Sequence, residues 1–170
     1  MADIGYMKIA KIAKKVKSDP FEPIYHNFIV MLTARLLARH FRTEYVFANH
    51  PGWKGGPWKL ADGGICPDVA VGDKERGELV ATFEVETTGS LNSGESRERW
   101  VAAAAAGYLD LVVPAWFLPR ALGLAKEWGV APHDIWSYSV DGGHAKLKRV
   151  TNSRDSFLED PSEEEGEVML

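Results

Sequence analysis

Three acids stand among apolar strand residues: Asp68 in the segment CPDVAV, and Glu84 and Glu86 in LVATFEVE. Alternation along residues 79–86 sends Leu79, Ala81, Phe83 and Val85 to one face, and Val80, Thr82, Glu84 and Glu86 to the other. The first set is a surface on which a helix can pack, and the second places two carboxylates at the end of an apolar strand. The polar turn GDKERGE between the two segments predicts an antiparallel hairpin that brings Asp68 close to Glu84. Like charges at that distance are costly unless a cation joins them. A hard divalent ion such as Mg²⁺, with Mn²⁺ as a substitute, suits a site made of oxygens and water. The competing reading is a solvated sheet end with ordinary surface charges.

The elements that must position these acids follow from the periodicity. A helix is expected over about Pro20 to Phe41, with Phe21, Ile24, Tyr25, Phe28, Met31 and Leu32 along its core-facing side. A short strand, Glu44 to Ala48, precedes a loop over residues 50–64 that is rich in glycine, tryptophan and lysine. The strands Cys66–Val71 and Leu79–Glu86 come next, then an alanine-rich helix from Gly94 to Gly107. Leu109–Trp116 reads as a buried strand, Pro119–Trp128 as a helix ended by Gly129, and Asp134–Val140 and His144–Val150 as closing strands. The order is an α/β domain with a mixed central sheet flanked by helices. Trp100, Trp116, Trp128 and Trp136 are expected in its core, as is the small Cys66, while His133 and His144 are expected at the surface.

Pro67-Asp68, followed sixteen residues later by Glu84-Val85-Glu86 within strands behind a leading helix, resembles the PD-(D/E)xK nuclease superfamily. That restriction-endonuclease-like group includes archaeal Holliday-junction resolvases, and its αβββαβ core corresponds to about residues 20–116. The resemblance implies that Asp68 and Glu84 bind the metal, with the carbonyl of Val85 as a further ligand. The family lysine falls on Glu86, a departure that makes Glu86 a general base or a ligand of a second ion. The family often adds an acid from the leading helix, for which Glu22 is the candidate. His26 lies one turn later on a nearby azimuth. Glu22 is equally explained as a first-turn acid favoured by the helix dipole.

The residues around this motif offer phosphate contacts. Thr88 and Ser90 follow the acidic strand, where hydroxyls and backbone amides suit phosphates. Arg97 and Arg99 open the next helix, and read either as replacement positive charge or as salt-linked surface arginines. Lys54 and Lys59 alternate with Trp53 and Trp58, a pattern suited to nucleic acid; the alternative reading has both tryptophans capping the core.

The chain has 170 residues, 45% hydrophobic and 26% charged, with a formal charge of −4. That charge is unevenly placed. Residues 1–17, a basic amphipathic segment, carry five lysines against Asp3; residues 151–170, an acidic tail expected to be mobile, carry seven acids against Arg154. The body, 18–150, is nearly neutral. One cysteine excludes a disulfide framework, and the absence of a long apolar run argues against a membrane span and for a cytoplasmic protein. Nucleotide-binding glycine loops, the GxSxG elbow and the HExxH zinc motif are absent. The expectation is a Mg²⁺-dependent DNA endonuclease, with a homodimer plausible for the fold. The rivals are a catalytically silent member that binds nucleic acid or a protein, and a small-molecule metalloenzyme using the same acids.

Overall fold

The computed structural model describes residues 22–41, 45–54, 58–60, 66–73, 78–91, 93–107, 109–141, 144–150 and 166–169. The basic segment 1–17 lies outside them. Helix α1 (Glu22–Phe41) leads into strands β1 (Val46–Ala48), β2 (Val69–Gly72) and β3 (Leu79–Val85). Helix α2 (Gly94–Ala106), strand β4 (Leu109–Pro114), a short 3₁₀ turn (Ala115–Phe117) and helix α3 (Leu118–Trp128) follow. Strands β5 (Asp134–Asp141), β6 (His144–Arg149) and β7 (Gly166–Met169) complete the chain.

All seven strands form one sheet whose spatial order repeats the chain order. β1, β2 and β3 are antiparallel, β3, β4 and β5 parallel, and β5, β6 and β7 antiparallel again. The parallel steps need crossovers, which α2 and α3 supply. Right-handed crossovers between strands added in one direction put both helices on the same face, leaving the opposite face to α1. Two cores result. Ile29, Val30 and Leu37 of α1 pack on Val69, Val71, Ala81, Phe83 and Val85, while Trp100, Ala103, Ala121 and Leu124 pack on Leu109, Leu111 and Ile135. The expected alternation holds from residue 81 to 86, with Ala81, Phe83 and Val85 toward α1 and the acids toward α2, but a register shift before it leaves Val80 packed against the α1 core. Among the described residues, no helix is long and apolar enough to cross a membrane.

Five expectations need correction. The core-facing side of α1 is only partly as expected: Leu32 is buried and Tyr25 and Phe28 pack against the core, but Ile24 is 66% exposed and Met31 lines a surface groove with Arg35 and His50. Trp116 is 67% exposed, because β4 stops at Pro114 and the 3₁₀ turn swings the indole out, edge-on to Phe117. Cys66 and His133 are half-buried, neither in the core nor at the open surface. Within the acidic tail, Gly166–Met169 is a strand, with Ala145 of β6 opposite Val168; residues 151–165 lie outside the described part.

Local chemistry explains the strand limits near the acids. Pro67 has no N–H for a ladder, so β2 starts only at Val69. The backbone of Asp68 is still held, its carbonyl accepting the Asn49 N–H at 2.9 Å. At the other end of β2, a Cβ on Gly72 would meet the Trp58 ring at 3.0 Å and Phe47 at 3.2 Å, so only glycine lets that tryptophan close over the sheet.

Candidate functional site

Val69 pairs with Phe83, and the same register one step on sets Asp68 opposite Glu84. Asp68 is 2% exposed, Glu84 1% and Glu86 3%, so three carboxylates are buried together at the C-terminal end of β3. Each is held differently.

Asp68 is surrounded by donors. Its Oδ2 accepts the Val85 N–H at 2.9 Å and lies 3.3 Å from His26 Nε2, while Oδ1 accepts from Arg99 Nη2 at 2.6 Å. Burial alone would raise its pKa, but the His26 hydrogen bond and the Arg99 charge outweigh it and hold the carboxyl below its ordinary range. Glu84 is in the opposite position. Arg99 Nη2 lies 2.7 Å from its Oε2, whereas Oε1 is buried without a hydrogen-bond partner. Complete burial and the neighbouring Asp68 push its pKa well up, with Arg99 only partly offsetting them.

Glu86 serves α2. Ser90 Oγ and Ser96 Oγ donate to its Oε2, the latter at 2.9 Å, and Trp100 Nε1 donates to Oε1 at 2.7 Å. Its backbone is fixed as well, with N–H to the Val112 carbonyl at 2.8 Å and its own carbonyl accepting from Tyr138 Oη at 3.0 Å. Burial raises the pKa of this group too, against those three donors.

Helix α2 can reach both acids because Ser96, Arg99, Trp100 and Ala103 follow 3–4 spacing on one face. Ser93 caps its start, its side chain accepting the Ser96 N–H at 3.0 Å. Helix α1 contributes His26 from the other side. Its Nε2 lies 3.1 Å from the Val85 carbonyl, which can only accept, so Nε2 carries the proton. Burial disfavours the imidazolium, yet the Asp68 hydrogen bond and charge raise the His26 pKa overall.

The structure thus gathers Asp68, Glu84, Val85 and His26 with Arg99, and sets Glu86 and Ser90 beside them in the bond that seats α2. Thr88 and Arg97 are exposed, as are Lys54 and Lys59. Trp53 donates to the Val46 carbonyl at 2.8 Å and Trp58 packs edge-on against Phe47, so both tryptophans of that loop rest on the sheet. Glu22 opens α1, and its side chain lies outside the described part.

Sequence reasoning passed over a second polar group, on the neighbouring strands β4 and β5, where Asp110 pairs with Phe83. Asp110 and Asp134 are register partners at the starts of β4 and β5, both fully buried. Asp110 Oδ1 accepts the Asp134 N–H at 2.9 Å, and His133 Nδ1 lies 3.5 Å from Asp134 Oδ2. One ligand atom each from Asp110, His133 and Asp134 fall within 4.8 Å of one another, a spacing a cation could use. Arg149 already pairs with Asp134, however, and is 4% exposed over the Trp136 ring, so positive charge is built into this cluster. Burial and the adjacent Asp134 push the Asp110 pKa up to about 8. The signal was there as two lone aspartates in apolar strands, but only parallel pairing joins positions so far apart in the chain.

No family model matches the chain, and no curated protein or solved structure is significantly similar to it. The functional reading therefore rests on geometry and on the motif.

Proposed function

We propose that the protein is a divalent-metal-dependent nuclease with a restriction-endonuclease-like core, acting on DNA through Asp68 and Glu84. One observation carries the reading: Asp68 and Glu84, both buried at one strand end, share a single guanidinium nitrogen, and Glu84 Oε1 has no hydrogen-bond partner. Two buried carboxylates with an unpartnered oxygen fit a hard divalent cation. Asp68 and Glu84 would hold it, with the Val85 carbonyl adjacent. Such an ion activates water and neutralises charge building on a phosphate.

The chain's own groups supply the rest. His26 and Arg99, with side chains 24% and 20% exposed, are the open rim of an otherwise sealed site. Both present positive charge or N–H donors to an incoming phosphodiester. His26, fixed through Nε2 by the Val85 carbonyl and Asp68, brings positive charge to that rim when its ring is protonated. Glu86 keeps α2, and with it Arg99, in position.

A second reading, a silent nuclease-fold module that binds nucleic acid or a protein, draws on a specific observation as well. Arg99 already neutralises part of the Asp68–Glu84 charge, and Glu86 is engaged by three donors. Incubating the protein with labelled linear, single-stranded, flap and four-way-junction DNA in Mg²⁺, Mn²⁺ or EDTA separates the two. The nuclease reading expects metal-dependent products. Salt-sensitive DNA binding with no product on any substrate supports the silent module.

A further inference from the structure

We propose that Arg99 is a displaceable counterion, closing the Asp68–Glu84 pair to divalent cations until a substrate phosphate draws the guanidinium away. The proposal rests on the reading of that pair as a cation site and adds how the site is loaded.

One nitrogen does the closing. Arg99 Nη2 sits 2.6 Å from Asp68 Oδ1 and 2.7 Å from Glu84 Oε2, so it occupies the point between the two oxygens where an ion would bind. Oxygen-ligated Mg²⁺ needs distances of about 2.0–2.1 Å to those atoms. Nitrogen and ion are mutually exclusive there. A divalent ion carries twice the charge of the guanidinium it would replace.

The contact is not a lock. A locked Arg–carboxylate pair uses two nitrogens in a parallel fork, but here one nitrogen serves both acids, and Arg99 Nε is buried without a partner. The side chain is 20% exposed, so part of it already meets solvent, as an outward rotation requires. Arg149 makes the contrasting case, since it is 4% exposed and stacked over Trp136 with no such exit. Once out, the Arg99 guanidinium needs an anion, and a backbone phosphate at the rim provides one. Ion entry and phosphate capture are then two halves of one exchange.

Mn²⁺ binding to the full chain without nucleic acid, measured by calorimetry for wild type, R99Q, R99K and E84A, tests this. R99Q should bind Mn²⁺ about tenfold more tightly than wild type, R99K should fall between them, and E84A should lose the site. R99Q should also show a KM for DNA raised about tenfold, because the phosphate partner is gone. R99Q or R99K binding Mn²⁺ no more tightly than wild type overturns the proposal, and so does an unchanged KM. The nuclease reading fails separately. If R99Q gains Mn²⁺ affinity while neither protein cuts DNA, closure by Arg99 stands and catalysis does not.

Discussion

The indole N–H of Trp100 donates to Glu86 Oε1 at 2.7 Å, and this buried bond joins α2 to the end of β3. Ser96 and Ser90 complete the acceptor's coordination from the same side. Arg99 neighbours Trp100 in the chain, so the seat of Trp100 sets where the guanidinium begins. Glu86 thereby positions the arginine.

Replacing Glu86 with alanine strands those donors in a dry interface. The expected loss is about 2–4 kcal/mol, read by urea unfolding, with Glu86→Gln losing less because it keeps one acceptor oxygen. A Glu86→Ala protein as stable as wild type would contradict the docking role.

His26 titrates above its ordinary value because Asp68 outweighs burial. The sign follows from linkage. A histidine with a raised folded pKa adds stability below its unfolded pKa, and that stability disappears as pH rises through the folded value. The NMR titration of the His26 ring should therefore have a midpoint above that of an exposed histidine. In Asp68→Asn the midpoint should drop, since burial and the Arg99 charge then act without an opposing carboxylate. A midpoint unmoved by that substitution would argue against the contact.

Asp110 predicts the opposite kind of pH dependence from the usual carboxylate. Its folded pKa of about 8 exceeds the unfolded value of about 4, so the folded state holds the proton more tightly. Stability present at low pH is then lost progressively as pH rises across that interval. Asp110→Asn, which keeps an acceptor for the Asp134 N–H, should flatten the fall in Tm between pH 5 and pH 8, roughly the span of the two values. An equal slope in both proteins would contradict the assignment.

How far the sequence foretold the structure depended on whether the signal was local. Strand β3 was legible because its acids and apolar residues segregate with a period of two, and the polar turn fixed its pairing with β2. Helix α1 was legible as a helix but not in its orientation. It is apolar on more than one side, so Ile24 and Met31 competed with Ile29, Val30 and Leu37, which the sheet covers. Trp116 was misplaced because three residues of 3₁₀ turn change the side a residue faces. β7 was hidden by the run of acids just before it. Arg99 was visible as a candidate charge, yet its place between Asp68 and Glu84 depends on how Glu86 seats α2, which no spacing encodes.

The proposed nuclease depends on Asp68 and Glu84 holding a divalent cation for DNA hydrolysis. The most direct measurement compares Mn²⁺-dependent cleavage of labelled DNA by wild type and by Asp68→Ala and Glu84→Ala, prepared identically and shown folded by circular dichroism. The account predicts cutting by wild type that EDTA abolishes, and a loss of about a hundredfold or more in each variant. A folded Glu84→Ala protein that cuts at the wild-type rate would contradict it.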